Sequence, residues 1–196
     1  MVGYRNDDIY PLTPDLATAQ SYAAAAGVSP SSPITVELYT FNVTHGPGFA
    51  SHIQAALAPL GINVNIHSFS RVVQHTKIAT EGEPFDISIE GWGMDYNDPF
   101  NFLDTLLNGS RIKPSGNTNV SYFDDPSFNA RLDAAAPLTG PTRLATYADL
   151  DRDISTAAPI IPYVNTNGRA FFSDRIGCHV FMSSIAGAAL NALCLR

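Results

Sequence analysis

The stretch Glu90-Gly91-Trp92-Gly93-Met94-Asp95-Tyr96-Asn97-Asp98-Pro99-Phe100-Asn101-Phe102 gathers the sole tryptophan of the chain, two glycines and two aspartates into thirteen residues. An aromatic ring beside a carboxylate makes a cradle for an ammonium group, through ion pairing and cation–π attraction together. Glycines in such a loop let backbone approach a ligand closely. Asp98, placed before Pro99, reads more readily as a helix N-cap than as a contact residue. Trp92 on its own reads equally well as core. Asp95 is explained by neither capping nor helical spacing. A second chemistry is open to the same residues: Glu90, Asp95, Asp98 and Asp104 could include an acid/base pair of carboxylates. No nucleophile, metal or phosphate motif stands beside them to support that reading.

Other recognisable chemistry is missing. The chain has no GxGxxG, Walker, GxSxG or HExxH motif. Gly46-Pro47-Gly48 is too short to cradle a phosphate, and Pro47 has no N–H to give. The histidines at 45, 52, 67, 75 and 179 are scattered. His45 and His52 could share a helical face, but the break at Gly46–Gly48 is expected between them. His67 falls on the polar side of a strand. No metal centre and no cofactor is expected. Asn42-Val43-Thr44, Asn108-Gly109-Ser110 and Asn119-Val120-Ser121 match the glycosylation pattern, which is common by chance and carries no weight. Cys178 and Cys194 cannot form a CxxC pair or a zinc site. They read as a disulfide, worth about 3 kcal/mol by chain entropy, or as two reduced buried thiols. The disulfide is the favoured reading, and it would place the chain in an oxidising compartment.

With 196 residues the chain suits one domain or two small ones. Eleven Lys+Arg against eighteen Asp+Glu give a net charge of −7, the opposite of a nucleic-acid footprint. Lys77 and Lys113 are the only lysines, so no polybasic arm can bind anionic lipid. The apolar run Ile185–Leu195 is shorter than the ~20 residues a membrane span requires and is interrupted by Asn191. The start, Met1-Val2-Gly3-Tyr4-Arg5-Asn6-Asp7-Asp8, is polar and acidic, unlike a signal peptide. Taken literally this describes a cytoplasmic protein; a mature chain or a piece of a longer one are the other readings.

Periodicity supplies the elements that must position the cluster. Pro14 to Ala26 predicts a helix capped by Asp15 or Thr13 and stopped by Gly27. Ile34–Tyr39, Ile62–Phe69 and Phe85–Trp92 alternate as strands. Helical spacing fills the gaps between them, over Phe49–Leu60 and Arg71–Ala79. Strand, helix, strand, helix, strand predicts an α/β unit with parallel pairing. Asp98-Pro99, Asp125-Pro126 and Pro141 each open a helix in the second half, the last burying Leu144, Tyr147, Leu150 and Ile154. Ala158–Val164 and Arg169–Ser173 are strand candidates.

Trp92-Gly93-Met94-Asp95-Tyr96-Asn97-Asp98-Pro99-Phe100-Asn101-Phe102 is similar to the W-x-x-D-Y-x-D-P-x-N-F stretch of the family 5 extracellular solute-binding proteins, the oligopeptide and dipeptide receptors of bacterial ABC importers. Weaker likenesses follow in the family's order. Tyr10, Asp15, Ala19 and Ala24–Gly27 resemble one of its helices, and Ile53–Val64 a helix and strand. Tyr122, Asp125–Phe128 and Leu132-Asp133 resemble its Y-x-N-P-E-F-D-x-L-L-D, and Ala158–Tyr163 its A-P-I-I-P-L. The resemblance implies an α/β fold, the C-terminal lobe of a two-lobed periplasmic-binding-protein-like architecture, with a mixed sheet flanked by helices. On that basis 1–174 is the ligand-binding lobe and 175–196 a tail that returns to the N-terminal lobe.

The function so implied is capture of a peptide or similar solute by hinge closure of two lobes and its delivery to an ABC permease. The protein would be monomeric, non-enzymatic, and extracellular or in the cell envelope, periplasmic or lipid-anchored. The aspartate matching Asp95 pairs with the ligand's amino group in peptide-binding members. The aromatic matching Trp92 lines the pocket, and Tyr96 and Asn97 are carried over with them. Members that bind other solutes leave the ligand class open. Full-length members are much longer than this chain, so half of the cleft is expected to lie outside it. The competing readings are a small hydrolase-type enzyme built on the carboxylates near Asp95 and a non-catalytic interaction domain.

Overall fold

A computed structural model describes residues 2–7, 9–10, 12–165, 169–182 and 187–196. Met1 and Asp8 of the polar start, and Ile185 at the head of the apolar run, lie outside the described residues. The chain divides into two compact units, Asp8–Gly91 with Ile112–Val120, and Met1–Asp7 with Trp92–Arg111 and Ser121–Arg196.

The first unit holds the α/β order that the alternating segments predict. α1 (Leu16–Ala25) starts where Asp15 accepts the Thr18 N–H at 3.0 Å. β1 (Ile34–Phe41), α2 (Gly46–Leu57), β2 (Ile62–Phe69), α3 (Arg71–Ile78) and β3 (Ile87–Ser88) follow. The sheet is parallel with order β2-β1-β3, and β1 pairs β2 in register from Ile34↔Ile62 to Phe41↔Phe69. Leu38, Phe41, Ala50, Val64 and Ile89 form its core. β3 is shorter than the Phe85–Trp92 expected: beyond Ile89, whose N–H reaches the Tyr39 carbonyl, the ladder to β1 ends. The break expected at Gly46–Gly48 is instead the first turn of α2. Pro47 is tolerated there because its missing N–H would have had no partner. A Cβ on Gly46 would lie 2.2 Å from the Phe41 carbonyl oxygen, so close packing, not flexibility, demands that glycine. Asn117 fastens 112–120 to this unit by donating to the carbonyls of Ala79 at 3.0 Å and Lys113 at 2.6 Å.

The second unit is helical: α4 (Phe100–Leu107), α5 (Pro126–Ala135) and α6 (Gly140–Ala157). Leu103, Leu107, Leu132, Ala135, Tyr147, Leu150 and Ile154 interlock as its core, and Leu144 stays partly exposed. Asp125 caps α5 as its sequence predicts, accepting from the N–H groups of Ser127 at 2.8 Å and Phe128 at 3.1 Å. Asp125→Ala is expected to lower the stability of this unit by about 1 kcal/mol, read from urea denaturation; no change would show that Pro126 alone sets the helix start.

The segments Ala158–Val164 and Arg169–Ser173 are not strands. Ala158 ends α6 in the left-handed region at φ +56°, and Pro159 and Pro162 have no N–H to offer a ladder. Phe171, at 91% exposed, packs on nothing that would hold a strand. Beyond them, β4 (Ile176–Gly177) pairs antiparallel with β7 (Cys194–Leu195), and β5 (Phe181–Met182) with β6 (Gly187–Ala188). Parallel and antiparallel pairings thus occupy separate sheets. Cys178 and Cys194 are joined in a disulfide with Cα atoms 5.4 Å apart. Among the described residues, no helix is long and apolar enough to cross a membrane.

Candidate functional site

The residues singled out by type and spacing lie on the loop from Trp92 to Pro99 and on the first turn of α4. Asn101, on that turn and 2% exposed, organises them. Its Oδ1 accepts the Trp92 indole N–H at 3.2 Å and the Asp95 backbone N–H at 2.9 Å. Its Nδ2 donates to Asp95 Oδ2 at 3.0 Å. One amide therefore places the indole and the carboxylate beside each other. A buried amide costs free energy unless it is bonded in this way.

Trp92 is 37% exposed and is not core. Asp95 is exposed, and no arginine, lysine or histidine pairs with it among the described residues. A Cβ on Gly91 or Gly93 would meet nothing within 4 Å among the described residues. Tyr96 is 47% exposed. Asn97 Oδ1 accepts the Val2 N–H at 3.1 Å, which commits its oxygen and leaves its amide nitrogen to other partners. The structure thus brings Trp92 and Asp95 together through Asn101, and sets Tyr96 and Asn97 on the same loop.

Asp98 has two tasks where the sequence suggested one. Its Oδ1 accepts the Phe100 N–H at 2.9 Å, the capping role, although the helix begins one residue later than a proline-first reading places it. Its two oxygens also take Arg143 Nε at 2.9 Å and Nη2 at 2.8 Å. Arg143 Nη1 meanwhile donates to the carbonyls of Ala135, Ala136 and Leu138, closing the C-terminus of α5. The Arg143 hydrogen bonds hold the Asp98 carboxyl below the usual carboxylate range. Burial pushes the Tyr147 phenol, under the Arg143 guanidinium, up to about 12. Arg143 could not be found from sequence, because its partner lies 45 residues away. Asn101 was visible as a letter in the W-x-x-D-Y-x-D-P-x-N-F pattern, but its contacts were not.

The remaining carboxylates are committed. Asp104, fully buried, pairs with Arg111 and accepts from Asn108 at 3.0 Å. In the other unit Glu90 faces Arg71 at 3.9 Å and His75 Nδ1 at 3.4 Å. His45 and His52 do line one groove on the α/β unit, with Thr44, Gly48 and Phe49, since α2 runs unbroken between them. No group of three or more potential metal ligands occurs among the described residues.

Comparison with known proteins bears on the family and the fold. The family model of bacterial extracellular solute-binding proteins, family 5 Middle, matches residues 2–114. Heme-binding protein A of Haemophilus influenzae is 34% identical over 132 residues, covering 67% of this chain and 23% of that protein. Di/tripeptide-binding protein 2 of Pseudomonas aeruginosa is 30% identical over 169 residues, covering 83% of this chain and 30% of that one. Among solved structures, clavulanic acid biosynthesis oligopeptide binding protein 2 superposes with a TM-score of 0.89 at 22% identity, covering 99% of this chain and 36% of that chain. The fold is thus that of part of a two-lobed periplasmic binding protein, and the chain spans under a third of either curated relative, 23% and 30%.

Proposed function

Because the chain belongs to the bacterial extracellular solute-binding proteins of family 5, we propose that it forms the C-terminal part of a receptor that captures a peptide or similar small solute for an ABC permease. The observation that carries this reading is the Asp95 carboxylate, exposed beside the Trp92 ring and unpaired with any cation among the described residues. That is the electrostatic half of an ammonium site, waiting for the positive charge to come from the ligand. Asp95 takes the ligand's amino group, Trp92 lines the pocket, and Tyr96 and the Asn97 amide nitrogen contribute polar contacts.

The rest of the receptor supplies the opposite wall of the cleft as an N-terminal lobe, with which residues 175–196 make contact. The exposed apolar side chains of Phe181, Leu190 and Leu195 in that tail, at 64%, 78% and 74% exposure, support such a contact. The protein works as a monomer, outside the cytoplasm, without a cofactor and without catalysis. The absence of catalysis is supported by the engagement of Asp98, Asp104 and Glu90, which leaves Asp95 no free carboxylate of that set to work with. Most of the relatives' names are of peptide binders and one is of a heme binder, so the amine-bearing class is supported by that kinship together with the exposed Asp95.

Calorimetric titration of di- and tripeptides tests the reading. The complete receptor is expected to bind free-amine peptides, and the isolated 196-residue chain to bind them far more weakly or not at all. Micromolar binding to the isolated chain would overturn the two-lobed site.

A further inference from the structure

We propose that Asn101 is the positioning residue of the amine cradle, fixing Trp92 and Asp95 relative to each other before any ligand arrives; this rests on the reading of Asp95 given above. Asn101 is itself 2% exposed and so touches no ligand. Three of the four hydrogen bonds its amide can form go to the two residues of the cradle. The amide can point only one way. Turned over, its NH₂ group would face two N–H donors, and its oxygen would face a carboxylate.

The bonds divide the work. Oδ1 anchors the indole and the loop backbone, and Nδ2 holds one oxygen of Asp95, so that Oδ1 of Asp95 is the atom left to receive an ammonium. Freezing both side chains in advance removes the cost of ordering them when a ligand binds. The position of Asn101 is in turn set by α4, where its N–H reaches the Asp98 carbonyl at 3.1 Å. The same Asp98 is clamped by Arg143, so the cradle is referred back to the helical core.

The unique tryptophan makes this directly testable in the chain as it stands, with no ligand. In a ¹⁵N-labelled sample the single indole N–H resonance belongs to Trp92. Asn101→Leu keeps the branched shape, with two bulkier methyl groups in place of the amide O and NH₂, and removes both donor and acceptor. Asn101→Asp keeps the acceptor oxygens but replaces the donor with a charge facing Asp95. Exchange of the Trp92 indole proton with solvent is expected to quicken about threefold to tenfold in Asn101→Leu and to stay near the parent rate in Asn101→Asp. The Asp95 χ1 couplings are expected to average in both variants. In the complete receptor both are expected to lose affinity for free-amine peptides while binding of N-acetylated peptides changes little.

A purely structural role would lower thermal stability without separating the two variants at the indole. Equal indole exchange in parent and Asn101→Asp together with retained Asp95 couplings would overturn the proposal, as would unchanged exchange in Asn101→Leu. If Asn101→Leu fails to fold, the Asn101→Asp couplings alone decide. Should the indole and Asp95 readouts behave as expected while Asp95→Asn leaves peptide affinity untouched, the amine reading fails and the positioning role stands.

Discussion

Arg143→Ala is expected to destabilise the helical unit by about 3 kcal/mol, the cost of leaving one member of a partly buried charge pair without its partner. The substitution removes two hydrogen bonds to Asp98 and three to the carbonyls that end α5, and it uncovers the Tyr147 ring. Asp98, with only 28% of its side chain exposed, would keep a single bond, from the Phe100 N–H. Trp92 lies in the same unit, so urea denaturation followed by tryptophan emission reports on this unit directly. The pH dependence has a definite sign. Arg143 stays protonated throughout, and Asp98 is held below its ordinary value of 3.8 chiefly by the Arg143 hydrogen bonds. The pair therefore contributes fully above about pH 4 and is lost as pH falls through the depressed Asp98 value. Stability of the parent is expected to drop more steeply on acidification than that of Arg143→Ala. Parallel pH profiles, or a variant as stable as the parent, would show that the pair contributes nothing.

Asp95→Asn, in the complete receptor, is expected to weaken binding of free-amine di- and tripeptides by about a hundredfold. The substitution keeps volume and polarity and removes the charge, so the loss measures the ammonium interaction itself. N-acetylated peptides, which carry no amine charge, are expected to bind the parent weakly and the variant about equally. Isothermal titration of both ligand sets checks this. An unchanged affinity for free-amine peptides would take Asp95 out of amine recognition and direct attention to solutes of another charge.

What could be read in advance depended on how far apart the causes lie along the chain. β2 was legible to the residue because Ile62–Phe69 alternates on one face and Gly61 supplies the left-handed turn before it, at φ +85°. α5 was legible because Asp125 and Pro126 act within one turn. Ala158–Val164 misled because Ile160, Ile161, Tyr163 and Val164 have strand composition, whereas Pro159 and Pro162 interrupt the run and a strand needs a partner to pair with. At the site, Trp92 and Asp95 stood out by type. The amide joining them did not, since Asn101 six residues from Asp95 has no period that sequence reading recognises. Arg143 was hidden altogether: nothing in Pro141-Thr142-Arg143 signals a carboxylate 45 residues earlier. Likewise Asn108 and Asn119 fit the glycosylation pattern in letters but are buried, and Asn42 alone of the three is exposed.

The two units exchange the chain four times, at residues 7/8, 91/92, 111/112 and 120/121. A ribosome delivers residues in order, so the sheet-bearing unit emerges almost whole by Gly91 and must then wait through the twenty residues of Trp92–Arg111, which belong elsewhere. Only afterwards does Asn117 arrive to cap the Ala79 carbonyl. Synthesis thus finishes one unit with a piece made after the other has begun, and no single cut yields either of them as an uninterrupted piece of chain.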